Sequence, residues 1–214
     1  MKKLADQIVE IRESNPTLQE IQLSNPIEWE RIIKKGDHPM VGRVFSNLRF
    51  SQINNCRVIT RFDFTSDRSN PEECVIKALM WAFPNNVNKS SAPAVLVNMQ
   101  RILSITSNHV GKTLNESDFI DLCAKIKSIR GVSDCTISII MYALGISFEE
   151  RKSIAITTHT LNAFKKFEEL HDFYESGYIP QLMKLNIEAN ELGVDVEVLE
   201  YYLFRVSSEK LKLI

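Results

Sequence analysis

The sequence predicts a mostly α fold, with a helical domain over 70–214 preceded by N-terminal helices and a small β element over 1–69. Three observations carry that reading. Apolar residues recur at helical spacing through most of 70–205, whereas two-residue alternation is confined to 57–64. Glycines and capping residues stand at the ends of the periodic stretches. A chain of 214 residues with 44% apolar content can bury one sizeable core without disulfides or metal.

In chain order, Leu4, Ile8, Val9 and Ile11 share one side of a short helix over 4–13. Asn25 and Pro26 begin a second helix carrying Trp29, Ile32 and Ile33 as far as Gly36, because proline suits a helix start and glycine an exit. From Arg57 to Phe64 charged or polar residues alternate with apolar ones, the period of a strand, and Asn54 with Asn55 can turn a hairpin before it. Pro71 opens a strongly apolar helix over 72–83 that ends before Pro84. Further helices are expected at 92–105, 117–129, 133–144, 158–169, 180–192 and 196–205. Gly145 and Gly193 are placed to close two of them, and Asp195 to cap the last.

Composition narrows the function. Lys and Arg total 26 against 27 Asp and Glu, a formal net charge of −1, so the chain has no overall positive field and any nucleic-acid contact must come from a local patch. Cys56, Cys74, Cys123 and Cys135 neither form a Cys-x-x-Cys pair nor sit at ligand spacing from a histidine, so neither a metal nor another cofactor is expected. No run approaches the roughly 18–20 apolar residues that cross a bilayer. The charged, amphipathic start is unlike a secretion signal. These features predict a reduced, cytoplasmic protein without a membrane partner, in which the sequons at Asn88 and Asn115 are never glycosylated. Gly111, Lys112 and Thr113 end like a phosphate-binding loop, but Thr106 stands where its first glycine belongs and no strand precedes it, which sets the motif aside.

The stretch most informative about function is 126–161. Ile129-Arg130-Gly131-Val132-Ser133 has the form of an apolar helix end, a glycine turn and the start of the next helix, a helix-hairpin-helix arrangement. Turn N–H groups and the positive end of the second helix dipole then converge on a point that suits a phosphate oxygen. Gly131, Val132 and Ser133, flanked by Lys127 and Arg130, are thus candidate nucleic-acid contacts. A second opening follows at Ile156-Thr157-Thr158-His159-Thr160.

The two openings, in this order, resemble the helix-hairpin-helix DNA glycosylase superfamily, the group of endonuclease III and 8-oxoguanine glycosylase. The stretch 129–137 stands in the register of a hairpin reading roughly Leu-Pro-Gly-Val-Gly-x-Lys-x-Ala, and 156–160 looks like the counterpart of Val-Asp-Thr-His-Val. More narrowly, Met80-Trp81-Ala82-Phe83, the 131–160 segment and Leu199-Glu200-Tyr201-Tyr202-Leu203-Phe204 are similar to a divergent bacterial group of 8-oxoguanine-glycosylase-like proteins associated with antiviral conflict operons. The resemblance implies a central groove between the openings, DNA or a nucleobase-like ligand within it, and other defence-operon proteins as partners.

The departures from the pattern shape the expected function. In the family a lysine attacks the sugar carbon and an aspartate assists base release, yet Cys135 and Thr157 occupy the matching positions. A thiol cannot form a Schiff base, and a hydroxyl cannot stabilise an oxocarbenium ion as a carboxylate does. The expected function is a catalytically degenerate binding module. The alternatives are an enzyme with altered catalytic residues and a structural subunit whose old DNA face is covered by a partner.

Each candidate has a plainer reading beside the functional one. Cys135, near a helix N-terminus, can be an activated nucleophile or a small packing residue. His159 and Thr157 can act at a reaction centre or simply belong to a capped first turn. Trp81 and Phe83 can stack a base in the groove or fill the core. Asp63, Asp67, Glu72 and Glu73 can supply a displaced carboxylate or complement a helix dipole, and Asp134 can repel an approaching anion or do the same. Lys125, Lys127, Arg130, Lys165 and Lys166 can form a basic rim or a solvated face.

Overall fold

The computed structural model describes residues 1–14, 20–23, 29–32, 39–51, 56–84 and 90–208. Its N-terminal part combines short helices with an antiparallel sheet: α1 (Ile8–Arg12), β1 (Glu20–Leu23), α2 (Pro39–Asn47), β2 (Phe50–Ser51), β3 (Cys56–Thr60) and α3 (Phe62–Thr65). The strand order is β1-β3-β2, with Glu20 opposite Thr60 and Phe50 opposite Arg57. The remainder is helical: α4 (Pro71–Ala82), α5 (Ala92–Val97), α6 (Met99–Thr106), α7 (Glu116–Lys127), α8 (Asp134–Leu144), α9 (Thr158–Phe164), α10 (Tyr178–Leu192) and α11 (Val196–Ser208). A minimal parallel pair joins β4 (Thr113–Leu114) to β5 (Ser147–Phe148). The protein is mostly helical with a small sheet.

Helix α8 lies at the centre because it is apolar nearly all round, and such a helix is stable only inside a protein. Every residue from Thr136 to Leu144 is buried. Helix α4 packs against it, and Phe64 of α3 seals the junction, its ring centroid 5.8 Å from Trp81 and 5.9 Å from Tyr142. Helices α9 and α11 pack together on the other side of the cleft described below. One cluster of buried hydrophobic residues runs from Leu4 to Leu203, so the N-terminal helices and the helical part share a core.

Local capping chemistry places the helix starts. Asn70 accepts the Glu73 N–H at 3.2 Å ahead of Pro71, and Asn115 accepts the Asp118 N–H at 2.8 Å. Asp195 accepts the Glu197 N–H at 2.9 Å, the cap expected for the last helix. Gly145 and Gly193 close α8 and α10 with φ of +63° each, the left-handed conformation that glycine adopts without strain.

Several boundaries differ from expectation. The strand ends at Thr60 instead of continuing to Phe64, because the Asp63 carboxylate turns back to accept the Thr60 N–H at 2.6 Å and begins α3. The single helix expected over 92–105 breaks at Asn98, whose Nδ2 donates to the Ala94 carbonyl at 2.8 Å in competition with the helical ladder. Helix α9 stops at Phe164 rather than Glu169, since the backbone of Lys2 takes the Lys166 carbonyl at 2.8 Å and the Glu168 N–H at 3.0 Å. Val9 faces outward at 66% exposure, while Leu4 and Ile11 are buried. Of the helix expected around Trp29, residues 29–32 are helical, and the buried Trp29 donates its Nε1–H to the Phe83 carbonyl at 3.2 Å. Asn25, Pro26, Ile33, Gly36, Asn54 and Asn55 lie outside the described residues. Among the described residues no helix is long and apolar enough to cross a membrane.

Candidate functional site

The hairpin between α7 and α8 is built on a glycine that could be nothing else. Gly131 has φ +86°, and a Cβ there would lie 2.9 Å from the Ala94 Cβ. On either side of it the Ile129 N–H donates to Ile126 at 3.1 Å and the Val132 N–H to Ile129 at 3.1 Å. Ser133 then caps α8 in an extended conformation, its hydroxyl accepting the Thr136 N–H at 3.3 Å. The same hydroxyl lies 2.8 Å from that of Ser91, which also bonds Thr136, so three hydroxyls knit the start of α5 to the start of α8.

Thr157 caps α9 in the same manner, accepting the Thr160 N–H at 3.3 Å. What holds this second opening against the first is Ser138. Its buried hydroxyl accepts the Ile156 N–H at 2.9 Å and donates to the Cys135 carbonyl at 2.6 Å, tying the approach to α9 onto the first turns of α8. As a result Ser133 and Cys135 from one opening and Thr157 and His159 from the other line one cleft of about 550 Å³, with Phe83 and Ser91 completing its wall.

Burial sets the electrostatics of that cleft. The Cys135 thiol is pushed up to about 12 by desolvation, with Asp134 adding to the rise and the Thr158 N–H on the sulfur opposing it. The activation expected from a helix N-terminus is outweighed. Burial also lowers the His159 pKa, so its imidazole is neutral at physiological pH, and its ring sits edge-on to Phe204 at 5.2 Å. Among the described residues that line the cleft, none carries a formal charge near neutrality.

The charge lies one layer behind. Thr160 donates its hydroxyl hydrogen to Glu200 Oε1 at 2.8 Å, and Arg61 Nη2 lies 2.5 Å from Glu200 Oε2. Arg61 and Glu200 are 3% and 0% exposed. Desolvation lowers the Arg61 pKa, but the opposite charge of Glu200 and a hydrogen bond to it hold the value above normal. The guanidinium also lies 4.7 Å from the centroid of the Trp81 ring.

Other expected site residues fall elsewhere. Trp81 does not line the groove: it is 2% exposed, with Arg61 over its ring and Phe204 stacked at 6.3 Å, so it packs the core behind the cleft. Lys127 is ion-paired to Asp134, and both line a separate depression of about 330 Å³ near Tyr178. The pair neutralises a carboxylate that could otherwise repel an anion, and equally occupies the cation expected to attract one. Val132 is buried, while Arg130 and Gly131 stay exposed at the hairpin tip. Lys165 lies 3.8 Å over the Tyr174 ring and Lys166 donates to the Val206 carbonyl at 2.8 Å, so neither extends a basic rim from the hairpin. Asp63, Asp67 and Glu73 line a third hollow away from the cleft. Among the described residues no group of three or more His, Cys, Asp or Glu could hold a metal.

Ser91, Ser138, Arg61 and Glu200 were not singled out from the sequence. Only Glu200 had a legible signal, because it falls on the apolar i, i+3, i+4, i+7 stripe of Val196, Leu199 and Leu203, where a carboxylate needs a buried partner. No family model, curated protein or solved structure matches the chain.

Proposed function

We propose that this chain is a catalytically degenerate relative of the helix-hairpin-helix DNA glycosylases, and that it binds an uncharged, base-like ligand in the cleft between its two helix openings. One observation carries the reading: Ser133 and Cys135 share that cleft with Thr157 and His159. Its size of about 550 Å³ falls within the range of roughly 300–1,000 Å³ typical of small-ligand sites. Phe83 and His159 supply aromatic surface, and the described lining residues, which carry no formal charge, suit a heterocycle better than a phosphate. Where the resemblance puts an amine and an acid, the chain has a partly buried neutral thiol and a capping hydroxyl, groups that cannot carry out the parent reaction. The ligand is free or displayed on nucleic acid, for which exposed Lys125 and Arg130 offer a local grip.

The test is a titration of the protein with 9-methylated nucleobases and with a DNA duplex carrying an abasic site, at low and high salt, with borohydride present in a parallel reaction. Nucleobase binding should be insensitive to salt, duplex binding should be weak and steeply salt-dependent, and no covalent adduct should be trapped. Phe83→Ala should weaken base binding by about 1–3 kcal/mol. A trapped adduct, or no binding to either probe, rejects the reading.

A further inference from the structure

We infer that the buried Arg61–Glu200 pair sets the hydrogen-bond polarity of the cleft, so that Thr157 offers an accepting oxygen and the ligand must bring a donor to it. This rests on the cleft being a pocket for an uncharged base-like ligand, and it narrows that ligand's class to heterocycles with an amino or imino N–H at the contacting edge.

Arg61 is 3% exposed and cannot shed its proton, so its pair with the fully buried Glu200 is balanced only when Glu200 is a carboxylate. A carboxylate accepts and does not donate. Glu200 Oε1 takes the hydroxyl hydrogen of Thr160 at 2.8 Å. A hydroxyl has a single hydrogen, so the 3.1 Å contact between the Thr157 and Thr160 hydroxyls must be donated by Thr157. Thr157 therefore points its hydrogen inward. One of its lone pairs accepts the Thr160 N–H at 3.3 Å. The other is the remaining hydrogen-bonding capacity of Thr157, a residue that lines the cleft and is 4% exposed, so a ligand donor has a narrow approach to it. Had the buried charge been positive at this point, every arrow in the chain would reverse and Thr157 would offer a hydrogen instead. Glu200 and Thr160 are positioning residues in this scheme, since they act through Thr157.

Two purines of similar shape separate the cases: 9-methyladenine, whose amino group is its sole donor, and 9-methyl-6-methoxypurine, which has none. Wild-type protein should favour the amine by roughly five- to tenfold, the value of one net hydrogen bond. Thr160→Val keeps the volume but removes the inward acceptor, freeing the Thr157 hydrogen to turn outward, and should bring the two affinities to parity. Thr160→Ser restores the hydroxyl and should restore the preference. A ratio of affinities is not moved by a loss of stability alone. Equal binding of both purines to wild type, or an unchanged ratio in Thr160→Val shown to be folded by circular dichroism, overturns the inference and leaves the pocket reading standing. If that variant does not fold, the wild-type ratio decides. Failure of both purines to bind removes the pocket reading and the inference together.

Discussion

Cys135 is the second residue of α8, where a helix dipole lowers a thiol's pKa, yet its thiol is pushed up to about 12. Desolvation penalises the thiolate more than the dipole and the Thr158 N–H favour it. Iodoacetamide at pH 8 should accordingly leave Cys135 largely unmodified in the native protein while labelling it fully in denaturant, as read by peptide mass spectrometry; rapid native labelling would contradict the burial argument. His159 makes the complementary case. Its pKa is lowered from 6.5 by desolvation, so the unfolded state binds the proton more readily. The contribution to stability is therefore fully present above pH 6.5 and is lost as the pH falls through the folded-state value. A ring-proton NMR titration of His159 should give a midpoint below 6.5, and a midpoint above that value would show a nearby negative charge that none of the described lining residues carries.

At the scale of elements, Ser138 joins two segments that are 18 residues apart in the chain. Removing its hydroxyl leaves the Ile156 N–H buried without its partner, and an unsatisfied buried donor costs about 1–3 kcal/mol. Ser138→Ala should lower the unfolding free energy from denaturant titration by that amount and should weaken base binding as well, because Thr157 would no longer be held opposite Cys135. Loss of stability with unchanged binding would show that the opening at α9 is held by its packing on α11 instead. The caps at Asn70, Asn115, Ser133, Thr157 and Asp195 are all contacts between residues two or three positions apart. Such contacts are legible in a sequence because donor and acceptor are encoded side by side.

Across the whole molecule, the Arg61–Glu200 pair joins the turn between β3 and α3 to the last helix. Removing one partner of a buried ion pair leaves an uncompensated charge, a loss of about 3–5 kcal/mol, whereas replacing both with apolar residues is close to neutral. Glu200→Ala should show that loss by chemical denaturation and the double variant Arg61→Leu, Glu200→Leu should recover most of it. A single variant as stable as the parent would mean that water reaches the pair, contrary to its burial.

The sequence by itself determined that the chain is mostly helical, where most helices begin, and that Gly131, Gly145 and Gly193 mark turns, because periodicity and capping are short-range effects. It also brought attention to both walls of the cleft through two short openings, 129–133 and 154–160. Only the tertiary structure decided which residues those walls contain. Ser91 enters the cleft from the residue before α5, 42 positions upstream of Ser133, Trp81 is excluded from it by the cover of Arg61 and Phe204, and α9 is cut short by backbone hydrogen bonds with Lys2. Each of these depends on groups distant in the chain meeting in space, and desolvation, which sets the ionisation of Cys135 and His159, exists only once they have met.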